Sequence, residues 1–160
     1  MGDQYYVIDT AGDLLFESHC DRLGAFSEGL ATCEVAGSQG VVDRTGSVVV
    51  DPRFDTVGPF VEGRATVAVD GLWGLIDSHG EYVLEPRYEE MNYFTYGLAA
   101  ARTDEGWGYV DLAGREVISP RFEYADWCGP ELCDVQVDGH WQYIDRTGRT
   151  VWSPTAPRER

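Results

Sequence analysis

A 34-residue step runs through the whole chain, and it limits what the chain can fold into more than any other feature. Asp9, Asp43, Asp77, Asp111 and Asp145 are spaced by 34 residues, and Gly12, Gly46, Gly80, Gly114 and Gly148 follow each Asp by three. Pro52, Pro86, Pro120 and Pro154 keep the step. So do Arg53, Arg87 and Arg121, and behind them Phe54, Tyr88 and Phe122. Phe26, Phe60 and Phe94 form a second aromatic column, and Trp73, Trp107 and Trp141 stand four residues before the Asp. A repeat of this length is one supersecondary unit that must stack on its neighbours to bury its apolar face.

Within a unit the local pattern is β. Residues 4–9 run through aromatic and β-branched side chains up to an Asp, residues 10–12 turn, and residues 14–16 return. Later units add a strand in front. Residues 65–69 lead to Asp70 and Gly71, a two-residue hairpin signal; residues 72–76 return, residues 77–80 turn again, and residues 81–84 run out to Pro86. Counting these gives about 14 strands, four before the Trp position and five at each of the next two. The linkers between strand triplets carry aromatic anchors such as Tyr88 and Phe94, with room for short 3₁₀ or bridge segments. No stretch keeps a 3.6-residue period, so no helix is expected.

These columns resemble the repeat of the bacterial WG-repeat proteins: Trp73 with Gly74, Ile76 with Asp77, the turn at Gly80, Pro86 with Tyr88, then Phe94, Gly97, Leu98 and Ala99. The resemblance covers residues 5–154. It departs at the ends, with Tyr5 and Tyr6 or Gln39 and Gly40 for Trp-Gly, Trp141 followed by Gln142, and Glu131 in place of Gly. It implies a β-rich array with no shared catalytic motif and no substrate. The expected fold is all-β, an open solenoid-like array of about five β-meander repeats, because unequal strand counts suit an array with altered end units; a small closed β-propeller is the alternative. Residues 1–154 read as one domain and 155–160 as a disordered tail.

Composition bounds the function. The net charge of −16, from 12 basic and 28 acidic residues, opposes binding to nucleic acid or an anionic membrane. Every basic residue is Arg. No apolar run reaches membrane-spanning length, and the first residues lack the basic flank and apolar core of a signal peptide, so a cytoplasmic location is expected.

Candidate chemistry is sparse. The column Asp residues are turn formers, since an active site occurs once rather than five times. Arg53, Arg87 and Arg121 with Asp55, Glu89 and Glu123 read as an ion-pair ladder, and the Trp column reads as core. Cys20, Cys33, Cys128 and Cys133 fall in apolar slots and read as buried thiols, with a Cys128–Cys133 disulfide or metal pair as the alternative. With three His and no phosphate loop, no catalytic residues, metal ligands or cofactor are proposed, and an enzyme is not expected.

One segment, residues 124–133, breaks the pattern. Trp127 and Tyr93 share a variable column, and Glu89, Glu90, Asp126 and Glu131 lie near them in sequence. These six are the candidate partner-binding residues. The function expected is a non-catalytic module binding a basic protein, one form being an immunity or antitoxin-like inhibitor that plugs a basic effector. The alternative is a carbohydrate-binding or enzymatic domain using surface aromatics and carboxylates.

Overall fold

The computed structural model describes residues 5–8 and 11–154. Asp9 and residues 155–160, with the tail expected there, lie outside the described residues. No helix occurs among the described residues, and the chain divides into two compact units, Met1–Pro86 and Arg87–Arg160.

The first unit opens with a hairpin of β1 (Tyr5–Ile8) and β2 (Leu14–Ser18). Two four-stranded sheets follow. The first is β3 (Arg22–Leu23), β4 (Leu30–Val35), β5 (Ser38–Asp43) and β6 (Val48–Phe54). The second is β7 (Thr56–Val57), β8 (Arg64–Val69), β9 (Leu72–Asp77) and β10 (Tyr82–Tyr88).

The second unit holds two more sheets: β11 (Glu90–Met91), β12 (Leu98–Thr103), β13 (Gly106–Asp111) and β14 (Glu116–Phe122), then β15 (Tyr124–Cys128), β16 (Leu132–Val137), β17 (His140–Asp145) and β18 (Thr150–Trp152). In every four-stranded sheet, strands adjacent in the chain are hydrogen-bonded neighbours, so each repeat is a simple antiparallel meander.

The local chemistry explains the geometry. Val69 faces Leu72 across a two-residue turn in which Asp70 has φ 51° and Gly71 has φ 79°, a left-handed pair that matches strand twist. Gly74, next to Trp73, sits against the backbone of Leu84, Glu85 and Pro86, where a Cβ would collide. At the equivalent Gly40 the β5–β6 register slips between Gln39 and Val41, so the glycine marks a bulge in the ladder. Pro52, Pro86 and Pro120 lie on β6, β10 and β14, the outermost strands, where a missing amide costs no ladder bond.

Two expectations about strands are corrected. The strands continue past the prolines to Phe54, Tyr88 and Phe122. The linkers supply a fourth strand to each sheet (β3, β7, β11, β15), giving 18 strands among the described residues. A two-residue strand such as β7 is too short to show alternation; backbone bonds such as Asp55 N–H to the Ala68 carbonyl (2.9 Å) and Gly58 N–H to that of Thr66 (2.8 Å) extend its pairing.

The core lies between successive sheets of a unit. In the first unit Phe54 on β6 clusters with Val67 and Ile76 of the next sheet, together with Val57 and Phe60. In the second, Phe122 on β14 clusters with Val135 and Ile144. Among the Trp column, Trp107 is buried, Trp73 is half-buried, and Trp141 is half-exposed. Tyr124 covers Trp107 with ring centroids 5.4 Å apart, and the residue one repeat later, Arg158, lies outside the described residues.

The free-thiol reading is overturned, and its alternative, a Cys128–Cys133 disulfide, is present together with a second, unexpected bond. Cys20 bonds Cys33, and Cys128 bonds Cys133. All four are buried, as apolar slots require, but the fold brings them together in pairs, with Cα atoms 5.3 and 4.0 Å apart. Cys128 and Cys133 are direct register partners across β15 and β16. Ellman titration in denaturant without reductant should therefore find no free thiol, and four after reduction; thiols titrating before reduction would contradict the pairing. Thr66 is buried with no partner for its hydroxyl among the described residues. Thr66→Val keeps the shape and removes that orphan, so it should stabilise the fold by about 1 kcal/mol in urea denaturation.

Candidate functional site

The repeated carboxylates are turn residues in the structure. Asp77 Oδ1 accepts from the amides of His79 (2.8 Å) and Glu81 (3.0 Å). Asp111 accepts from Ala113 and Arg115 at 2.9 Å, and Asp43 and Asp145 repeat the pattern with the amides two and four residues on. Partial burial pushes the Asp77 carboxyl up, and the amides of His79 and Glu81 more than reverse it, leaving it below its usual value. Asp111 is lowered in the same way against its burial, with the Arg115 side chain as the strongest lowering partner. The Thr45 hydroxyl lowers Asp43, and that of Thr147 lowers Asp145.

The expected Arg ladder does not form. Arg53 stacks over Phe54 (4.9 Å), Arg87 over Tyr88 (5.1 Å) and Arg121 over Phe122 (4.7 Å). Arg53 donates to the Gly80 carbonyl (2.6 Å) and Arg121 to that of Gly148 (2.7 Å). Arg87 instead reaches Tyr88 Oη and Glu116. The guanidinium lies along the ring of the next residue, and in Arg53 and Arg121 it also reaches a turn carbonyl one repeat on. Glu123 meanwhile accepts from the Gly139 amide (2.8 Å).

The six candidate partner residues separate into groups. Glu89 and Glu90 are both held by Arg102, at 3.0 and 2.7 Å. Asp126, on β15, accepts from Asn92 Nδ2 at 3.3 Å. Burial and then the Asp126 charge hold the Asp134 carboxyl above its usual value, and buried Tyr109 donates to the Asp134 carbonyl at 3.1 Å. Glu131 is exposed in the β15–β16 loop.

Trp127 is half-exposed, but its ring meets Tyr96 rather than Tyr93, edge to face at 6.2 Å. Tyr93 is exposed and makes no ring contact with Trp127 among the described residues.

Tyr96 is the residue that sequence reasoning missed. It stands where earlier repeats have Glu28 and Glu62, at the same left-handed turn position (φ 48°, against 52° and 51°). Glu28 uses that place to accept the amides of Glu62 and Gly63; a Tyr there presents a ring instead. Arg146 fixes the pair, donating to the Gly129 carbonyl (2.8 Å) and the Tyr96 carbonyl (2.7 Å), while the Trp127 ring lies over Gly129. The result is a small exposed aromatic surface of Tyr96 and Trp127. Among the described residues no group of three His, Cys, Asp or Glu is placed to hold a metal ion.

Comparison with known proteins settles the family. The pattern described as "WG containing repeat" matches residues 7–34, 40–73, 73–106 and 107–141. The chain belongs to the WG containing repeat family. No curated protein matches it. This WG-repeat chain is similar in fold to the N-terminal domain of Nup159, with TM-score 0.51 and 12% identity over 86% of this chain and 44% of that one. It is also similar to a chain of the S. cerevisiae complex of a Dbp5 variant bound to Nup159, a Gle1 variant, IP6 and ADP, with TM-score 0.51 and 13% identity over 94% and 47%. The WG-repeat chain thus spans less than half the length of either. The Nup159 domain is a β-propeller, and the likeness to it is one of fold alone.

Asp77→Ala should destabilise the protein by about 1 kcal/mol at neutral pH, the scale of a lost side-chain to backbone bond. A carboxyl whose folded value is lowered stabilises above its unfolded value, about 4, and the contribution fades as pH falls through the folded one. The gap between wild type and variant in urea midpoint should therefore narrow below about pH 4.

Proposed function

We propose that this WG-repeat chain is a non-catalytic binding module for a basic protein. The observation that carries the reading is the exposed Tyr96 and Trp127 pair, braced by Arg146, in a chain of net charge −16. Arg146 holds the backbone on which the rings stand, the two rings lie against each other, and the surrounding negative field steers a cationic partner toward them. Asp126 and Glu131 lie close in sequence to Trp127 and add acceptors for Arg or Lys. A basic effector neutralised by an immunity or antitoxin-like inhibitor is one partner of this chemistry.

For the array, we infer sheets of the propeller-blade type rather than the repeats of an open stack. The four-stranded meander, with strands in chain order, supports this, as does the likeness to a propeller domain. Small-angle X-ray scattering of the whole chain separates a ring from a rod. For location, the two disulfides support an oxidising compartment over the cytoplasm first expected. Non-reducing mass spectrometry of the protein from its host tests that.

A basic partner captured from the host should associate more slowly as salt rises, with its dissociation rate little changed, because salt screens the exposed acids and not a buried ring. Trp127→Ala should speed dissociation by about 30-fold, or about 2 kcal/mol, the scale of an interface hot spot. Unchanged binding with a lower melting temperature would make Trp127 a packing residue and remove this surface.

A further inference from the structure

The first unit contains an apolar groove of about 240 Å³, and the repeat explains why it exists. In later repeats an aromatic ring occupies the corresponding place. Phe54 packs with Val67 and Ile76, and meets Tyr82 edge to face at 6.1 Å. Phe122 packs likewise with Val135 and Ile144. One repeat earlier, the residue aligned with Phe54 is Cys20, and the residue aligned with Tyr82 is Val48. The receiving positions are intact: Cys33 and Val42 align with Val67 and Ile76, and both line the groove. The sheet is built to receive a ring that this repeat does not supply. Phe16, larger than the aligned Val50, forms one wall without filling the space.

The cation that accompanies the ring is also replaced. Arg53 and Arg121 stack on their own aromatics and donate to the carbonyls of Gly80 and Gly148. In the first repeat His19 stands at the Arg position, and Gly46, the counterpart of those two glycines, lines the groove beside Glu17.

We propose that this groove is the docking slot for an arginine–aromatic pair carried by a basic partner: the ring seated on Cys20, Cys33 and Val42, the guanidinium over the ring and donating to the Gly46 carbonyl. The inference rests on the basic-partner reading above, and charge complementarity favours such an occupant over a neutral apolar ligand. The chain itself shows that the pair fits this kind of sheet, since Arg53 with Phe54 and Arg121 with Phe122 fill the equivalent places.

The test is an NMR titration of the oxidised full chain with the peptide acetyl-Pro-Arg-Phe-amide, taking acetyl-Pro-Arg-Ala-amide and acetyl-Pro-Gln-Phe-amide as controls. Shifts should concentrate at Gly46, Val48 and Val35, and each control should bind at least about tenfold more weakly, since one loses the buried ring and the other the cation. Equal binding of all three peptides, or shifts confined to other residues, would overturn the proposal. So would concentration-dependent self-association that shifts the same residues without peptide, because a second copy would then be the occupant.

Cys20→Phe combined with Cys33→Val restores the side chains of the next repeat and fills the groove from within. It should abolish peptide binding while the protein stays folded. If that pair of changes prevents folding, Val48→Tyr, at an exposed position, restores the ring that meets Phe54 edge to face in the next repeat and should tighten peptide binding about fivefold. Unchanged affinity in either folded variant sinks the slot. A basic partner that binds the filled variant as tightly as wild type, and with the same salt dependence, overturns the slot and leaves the basic-partner reading standing. A partner whose binding ignores salt strikes that reading instead.

Discussion

Two of the four-stranded sheets have an apolar face covered by a ring that comes from the repeat before. Phe54, near the end of β6, lies on Val67 and Ile76 of the next sheet; Phe122, at the end of β14, lies on Val135 and Ile144. Much else follows from that placement. The strand must continue past Pro52 or Pro120 to deliver the ring, and Gly40 or Gly108 must lack a Cβ where the backbone bulges before the proline. The guanidinium beside the ring then reaches a turn carbonyl one repeat on. The Asp turns fix where that carbonyl points.

Where the chain departs from this arrangement, it exposes surface that the repeat ordinarily buries or fills with polar groups. Tyr96 replaces a Glu whose task is to hold two amides, and its ring is left facing Trp127. Cys20 replaces the covering ring, and a disulfide to Cys33 ties the β2–β3 connection to β4 without filling the space. In a repeat fold, stability belongs to the columns, so individuality sits in their exceptions. Both exceptions present apolar surface on a strongly acidic chain, which is why a cationic partner with aromatic side chains is the chemistry they fit.

The candidate site was partly legible. Trp127 stood out because it interrupts a column, and its exposure follows from that. Its neighbour was misassigned because sequence spacing placed Tyr93 in the same column, whereas equal repeat positions lie on different sheets and need not touch. Glu89 and Glu90 looked like free acids because Arg102, which holds both, comes from the paired strand β12.

The sequence by itself determined the period, the all-β class, the Asp and Gly turns and the hairpin at Asp70 and Gly71, because each depends on contacts within a few residues. Only the tertiary structure decided the fourth strand of each sheet, the pairing of the cysteines and the partners of the arginines. Those depend on which backbone lies opposite which, and a column of aligned residues carries no information about register across strands. Cys20 and Cys33 show the difference: the sequence made each an apolar slot, and only the tertiary fold, by bringing their Cα atoms within 5.3 Å, made them a bond.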